Sequence, residues 1–243
     1  MDKNYEFWNY KLPTGFYDKL FSDGKEKNIG LQSTWHDLTF LKVKKFIKNN
    51  DNHLDYACGP GTFIGNYLEC NSIGYDIAIN QIEYANSKYS DKNKYFTTSK
   101  KEILLKEPFD VITVMALIEV LSNDDFKSEM EFLLSILKPG GKIIFTTPNY
   151  GGLMMFVEKI SNVFNTVNYS EVKLSNYSKR KIKRFMDINF DSYELNYKTK
   201  CILNIGILFS ILNKDLAIKI ENFIEKLFNN FFGFLLMIEI TKK

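Results

Sequence analysis

The sequence predicts an α/β fold, a parallel sheet with helices on both faces, and three features carry that prediction. Between about residues 52 and 148, short β-rich runs alternate with longer helical ones, the pattern of strands joined by crossover helices. Residues 109–115, Phe-Asp-Val-Ile-Thr-Val-Met, form an apolar, β-branched run of the kind found in strands buried on both faces. A glycine-rich turn, Cys58-Gly59-Pro60-Gly61, follows the first strand, at the end of an open parallel sheet where ligands bind.

The elements follow in order. Residues 35–48 read as a helix leading into the sheet, and 54–57 as its first strand. A helix begins near Thr62, residues 72–76 form the second strand, and 79–88 repeat apolar residues at helical spacing. Residues 95–97 give a weaker third strand and 109–115 the fourth. An amphipathic helix over 126–137 is closed by Lys138-Pro139-Gly140-Gly141, and residues 142–147 make the fifth strand. Beyond it come a helix (179–186), a strand (192–197), a helix (216–229) and a final strand (234–241). The stretch of about 35 residues between the last two strands exceeds what a hairpin needs and reads as a lid or acceptor wall. The Phe- and Leu-rich stretch 223–236 reads as core.

The chain's 243 residues suffice for one α/β domain with additions, and no repeat or low-complexity linker divides them. A single domain over 1–243 is expected, with an N-terminal helical cap (1–50), a ligand-binding core (51–149) and acceptor-side helices and strands (150–243). A net charge of +3 creates no general demand for an anionic partner. The 15% aromatic content, mostly Phe and Tyr, reads as compositional bias rather than an apolar pocket. Three scattered cysteines, Cys58, Cys70 and Cys201, make neither a disulfide framework nor a zinc site and fit a reducing cytosol. Residues 1–10 lack a basic-then-apolar signal pattern. The apolar stretch 201–212 is interrupted by Asn204 and is too short to span a bilayer, so it reads as a buried helix or an interfacial surface. A cytoplasmic protein is expected, with peripheral lipid contact as a secondary expectation.

The turn carries the strongest chemical signal. Glycine lets a ligand approach the backbone closely, and Gly59, Gly61 and Gly65 are spaced G-x-G-x-x-x-G rather than the dehydrogenase G-x-G-x-x-G. Asp76 ends the next strand, where a carboxylate can accept hydrogen bonds from both hydroxyls of a ribose. Alone it would read as a helix N-cap; paired with the turn, the ribose role is preferred.

With these residues in place, the sequence resembles the class I S-adenosylmethionine-dependent methyltransferases, particularly the small-molecule group that includes quinone-biosynthesis enzymes. The turn is similar to their first motif, and Gly74-Tyr75-Asp76-Ile77-Ala78 to their ribose-binding strand end. Residues 108–112 with 117–121 resemble the fourth-strand motif, and 137–142 with Thr147-Pro148-Asn149 the fifth. The resemblance covers about residues 50–150. It implies a Rossmann-like, seven-stranded, mostly parallel sheet and S-adenosylmethionine as cofactor. It also implies that Asp55, Ala57, Gly59 and Gly61 line the methionine moiety, with Asp55 near its ammonium. Asp76 would bind the ribose, Ile77 would pack on the adenine, Thr98 or Ser99 would sit at the adenine edge, and Met115 with Ala116 would lie beneath. The sequence departs from the family at Ala57, which replaces a glycine, at 97–99, which lack an acidic residue, and at Lys173, which replaces a histidine.

Methyl transfer needs a base only when the acceptor atom carries a proton. Of the two histidines, His36 is the candidate, folding over the site with the N-terminal segment, although a surface position suits it as well. His53, at the entry to the first strand, reads as structural. Tyr10, Tyr17, Glu119 and Tyr150 are further acceptor-contact candidates, each with packing as the simpler role. No metal-ligand cluster is apparent. The basic run 178–184 could meet RNA phosphates or anionic lipid, but a solvated helix face accounts for it more simply. A small-molecule acceptor (metabolite, lipid or glycan precursor) is therefore expected. RNA or protein methylation and a non-catalytic binding protein are the alternatives, with a nicotinamide oxidoreductase further behind.

Overall fold

The computed structural model of the chain describes residues 6–151, 154, 174–228 and 233–243. Among the described residues seven strands form one sheet: β1 (Asn52–Tyr56), β2 (Asn71–Tyr75), β3 (Lys94–Thr97), β4 (Phe109–Met115), β5 (Leu137–Pro148), β6 (Leu195–Ile202) and β7 (Leu235–Lys242). Their order is β3-β2-β1-β4-β5-β7-β6. β7 runs antiparallel to both its neighbours, and the other pairings are parallel. This is the Rossmann-like, mostly parallel sheet that the sequence implied.

The central strands are apolar on both faces because helices cover both. Side chains alternate across a strand. Ile112, Val114, Ile143 and Phe145 therefore pack one way, onto Phe126, Met130 and Leu133 of α6 (Asn123–Ile136) and Ile182 and Phe185 of α7 (Lys179–Asn189). Val111 and Ile144 point the other way, into a layer with Leu38, Phe40 and Val43 of α2 (Leu31–Lys44) and Phe63 of α3 (Thr62–Tyr67). The remaining α-helices among the described residues are α1 (Phe16–Glu26), α4 (Ile79–Tyr89), α5 (Lys100–Leu104) and α8 (Lys214–Phe228), numbered in chain order.

Several boundaries differ from the sequence reading. α2 starts at Leu31 and ends at Lys44 rather than spanning 35–48. α6 begins at Asn123, three residues early, because the Ser122 hydroxyl accepts from the Asp125 amide. Residues 138–141 do not separate helix from strand; β5 starts at Leu137, which pairs with Phe109 ahead of a register shift. β6 lies at 195–202, not 192–197, because its partners on β7 run from Lys242 back to Leu235. The stretch 201–212 is not a single helix, and it leaves Ile205, Phe209, Ile211 and Leu212 exposed. Cys201 and Ile202 finish β6, Leu203 adopts a left-handed φ of 58°, and a 3₁₀ turn follows over Ile205–Ile211. Among the described residues of 223–236, Phe223 and Leu227 stand 67% and 64% exposed, whereas Phe234, Leu235 and Leu236 are core. Residues 169–173, including Lys173, lie outside the described residues.

The link between β6 and β7 folds back onto the cap instead of hanging free. Gly30 donates to the Ser210 carbonyl at 2.8 Å, Lys214 pairs with Asp37 at 2.6 Å, and Lys42 pairs with Glu225.

The cap is fastened at a second place. Asp18 of α1 is fully buried and accepts hydrogen bonds from Tyr84 (2.8 Å), Tyr89 (2.6 Å) and Lys88, all on α4. Burial pushes its pKa up, but Lys88 and the two phenols outweigh that and hold it below the usual carboxylate value. Asp18→Ala should cost about 1.5–3 kcal/mol in urea unfolding at neutral pH. Because the folded-state pKa is depressed, this stability is present above the ordinary carboxylate pKa and is lost as pH falls through the folded one. The gap between variant and wild type should close in acid; a gap independent of pH would contradict this role.

Candidate cofactor site

The carboxyl ends of β1, β2, β3 and β4 lie side by side in the sheet, and the candidate cofactor residues stand along that edge. The turn after β1 is tightly tied to β2: the amides of Ala57 and Cys58 both donate to the Tyr75 carbonyl, at 2.8 and 2.9 Å. Ala57, Gly59 and Gly61 all have left-handed φ, of 68°, 52° and 75°. For Gly61 a side chain would also strike Phe96, 2.7 Å away, whereas a Cβ on Gly59 would meet nothing within 4 Å. Gly59 thus faces open space, as a backbone that meets a ligand must. Ala57 bears the strain that the expected glycine would avoid.

Asp76 closes the turn from the β2 side. Its Oδ2 accepts from the Gly59 amide at 2.8 Å and its Oδ1 from the Ala78 amide at 2.9 Å. α4 begins only at Ile79, so the carboxylate braces the turn and the residues before the helix rather than capping the helix. Burial pushes its pKa up, against those backbone donors. Each oxygen keeps acceptor capacity for a further donor.

Asp55, at the end of β1, is 1% exposed. Burial raises its pKa to about 7, the Thr113 hydroxyl works against that, and the Asp76 charge adds to it. Two carboxylates close enough for the charge of one to raise the other, which is fully buried, favour a cationic or hydroxyl-bearing ligand.

The other candidates also stand at strand ends or in the loops that follow them. Ile77 is 43% exposed beside Asp76. Thr98 is exposed after β3, and the Ser99 amide donates to Thr97 Oγ1 at 2.9 Å. Met115 ends β4 half-buried, and Ala116, with φ 56°, donates to the Thr146 carbonyl at 3.1 Å. His36 stands apart, on α2. Its ring lies 5.6 Å from that of Tyr17 and 5.7 Å from that of Phe40, and burial pushes its pKa down to about 4. A neutral imidazole so reluctant to take a proton is a weak base at neutral pH. Tyr10 is 71% exposed, Tyr17 packs against Phe16 and His36, and Glu119 is buried in a 3₁₀ turn after β4. Tyr150 donates its amide to the Tyr177 carbonyl at 2.8 Å. Among the described residues, no group of three His, Cys, Asp or Glu side chains could hold a metal ion.

Sequence reasoning missed what supports Asp55. Thr113 Oγ1 donates to its Oδ1 at 2.6 Å, and His53 Nε2 lies 2.9 Å from the same hydroxyl. His53 Nδ1 lies 3.2 Å from Ser72 Oγ. All four residues are at most 2% exposed. Burial pushes His53 down to about 3, so it is neutral. With Asp55 ionised, the network assigns the proton to Nε2, which donates to Thr113. The polar letters at 53, 55, 72 and 113 were visible in the sequence, but only the register that pairs His53 with Ser72 and Asp55 with Thr113 brings them together.

A family described as a methyltransferase domain matches residues 31–192. The chain belongs to that family. Its fold and strand order are those of the class I S-adenosylmethionine-dependent methyltransferases that the sequence resembles. The methyltransferase is 26% identical over 185 residues to a ribosomal RNA large subunit methyltransferase E of Brachyspira hyodysenteriae, covering 69% of this chain and 93% of that one. It is 30% identical over 112 residues to a tRNA (guanine-N(7)-)-methyltransferase of Clostridium botulinum, a match spanning 44% of this chain and 45% of the relative. In fold it matches the magnesium protoporphyrin IX methyltransferase of Synechocystis, solved with bound S-adenosylhomocysteine, with a TM-score of 0.64, 12% identity and 99% and 98% of the two chains covered.

The Asp55 network has a measurable consequence. Its folded-state pKa is raised, so its contribution to stability is full below the ordinary carboxylate pKa and is lost as pH rises through about 7. In the ligand-free methyltransferase, Asp55→Asn should flatten the fall in stability between pH 5 and 8. Thr113→Val, which removes the donor that eases ionisation, should destabilise the protein by about 1–3 kcal/mol, more at pH 8 than at pH 5. Urea unfolding across that range checks both; unchanged pH dependence in both variants would contradict the network.

Proposed function

We propose that this methyltransferase transfers a methyl group from S-adenosylmethionine to an oxygen, nitrogen or sulfur atom of a small molecule. The observation that carries the acceptor class is the N-terminal cap, fastened across the start of α4 beside Asp76 and Ile77. Asn9 Oδ1 accepts from the Ile79 amide at 3.1 Å, Gln81 Oε1 accepts from the Gly15 amide at 3.0 Å, and Gln81 Nε2 donates to the Pro13 carbonyl at 3.1 Å. With Asp18 buried between α1 and α4, these bonds hold the cap beside the Asp76 end of the edge, which suits a small acceptor better than an extended nucleic acid.

The residues present fit the cofactor, through the open space at Gly59 and the paired carboxylates. Asp55 would hold the methionine ammonium, the backbone of Ala57, Gly59 and Gly61 would line the methionine moiety, and Asp76 would accept the ribose hydroxyls. Ile77 would pack on the adenine, Thr98 and Ser99 would stand at its edge, and Met115 and Ala116 would support it from β4. When bound, the cofactor supplies an already activated methyl group. The protein's part is to bind, orient and exclude water. His36, its pKa held down to about 4 by burial, is not assigned to proton abstraction.

RNA is the second reading, favoured by the two RNA-modifying relatives and by α7, which exposes Arg180, Lys181, Lys183 and Arg184. Two of these cations are already engaged, Lys183 with Asp187 at 2.9 Å and Lys181 with the Asn176 carbonyl at 2.7 Å. Methyl-labelled donor, offered with a metabolite extract and with total RNA in parallel, separates the readings. Label is expected in the small-molecule fraction and unaffected by Arg180→Ala/Arg184→Ala. Label in RNA that this double variant abolishes would overturn the small-molecule acceptor.

A further inference from the structure

Three buried oxygens near the carboxyl ends of β4 and β5 have no hydrogen-bond partner among the described residues: Glu119 Oε2, Thr147 Oγ1 and the Tyr177 phenol. Their residues are 6%, 0% and 4% exposed. Buried polar atoms are paired in the great majority of cases, so three unpaired ones in one place call for an occupant.

The three belong to one cluster. Besides burial, the Glu119 charge pushes the Tyr177 phenol up, to about 12. The Thr147 hydroxyl is near enough to ease the ionisation of Glu119, whose pKa burial raises to about 7, yet it makes no hydrogen bond of good geometry. No cation pairs with Glu119 among the described residues. The backbone holds the cluster in place. The Ser175 amide donates to the Glu119 carbonyl, its hydroxyl donates to the Leu121 carbonyl at 3.1 Å, and the Tyr177 ring packs on Phe126 with centroids 6.0 Å apart. Thr147 directly follows Thr146, which pairs with Met115, so the cluster adjoins the β4 end of the cofactor edge, on the side away from Asp76.

We propose that Glu119, Thr147 and Tyr177 form the subsite that receives a hydrogen-bond-donating hydroxyl or amine of the acceptor. A carboxylate accepts but does not donate, so the atom opposite it must carry a proton. The two hydroxyls can donate to that atom's lone pair. Ethers lack the proton and thiols donate weakly, so the cluster selects oxygen and nitrogen over sulfur. Identification of the occupant as the methyl acceptor rests on the methyltransferase reading; the subsite itself rests on the unpaired atoms.

Binding of phenol, benzyl alcohol and benzylamine, against anisole and benzyl methyl ether, tests the subsite by calorimetry and ligand-observed NMR, with and without S-adenosylhomocysteine. The hydroxyl and amine probes should bind about tenfold or more tighter than the ethers. Glu119→Gln and Thr147→Val should each remove most of that preference. Ligand-free Thr147→Val should melt at the same or a higher temperature than wild type, because it loses an unsatisfied buried hydroxyl that a purely structural residue would not leave unpaired. Equal binding of hydroxyl and ether probes, no binding of any probe, or a preference that survives both substitutions would overturn the subsite. S-adenosylhomocysteine binding retained in both variants confines such a failure to the subsite. Its absence in wild type would instead strike the methyltransferase reading and, with it, the occupant's identity as acceptor.

Discussion

Asp55 and Asp76 end neighbouring strands, and neither carboxylate can be solvated in the usual way. Among the described residues, Asp55 is kept from an isolated charge by the Thr113 hydroxyl, and Asp76 by backbone amides on both sides of it. The surrounding structure serves this arrangement. The polar run from Ser72 through His53 and Thr113 crosses three strands inside an apolar layer, orienting one hydroxyl toward one carboxylate. The glycine turn is bent so that its amides reach Tyr75 and Asp76, and Ala57 tolerates a left-handed backbone to allow it. Such an edge is poorly satisfied when empty and well matched to a ligand with a cationic end and a hydroxylated ring, which S-adenosylmethionine has.

The sheet makes this possible because it is buried on both faces. Strands that are apolar on both sides pack without slack, so their carboxyl ends form a rigid line, and the loops leaving them inherit their positions. The cap adds a second constraint. Asp18 and Gln81 fix it to α4, and Lys214 and Lys42 tie the β6–β7 link to α2, so the N-terminal and C-terminal parts close over the same layer.

Much of this was legible in the sequence. The strands from β1 to β5 announce themselves because buried parallel strands are short apolar runs between turn signals, and Asp55, Gly59 and Asp76 stand where such strands end. What could not be read depended on tertiary pairing. β6 is an edge strand alternating half-buried and exposed positions, so its limits come from β7 and not from its own letters. The exposure of Phe223 and Leu227 contradicts their hydrophobicity and follows only from which face of α8 meets the cap. The role of Asp18 depends on three donors that only the packing of α1 against α4 brings to it. His53 looked merely structural, and only strand register reveals its bond to the hydroxyl that holds Asp55.

Calorimetric titration of the folded protein with S-adenosylhomocysteine, beside an Asp76→Ala variant, tests the cofactor edge most directly. Wild-type protein should bind, and the variant, losing charge-assisted bonds to the ribose and the brace on Gly59, should bind roughly ten- to a hundredfold more weakly. Absence of binding to wild type, or equal affinity in a folded variant, would contradict the assignment of this edge to the cofactor.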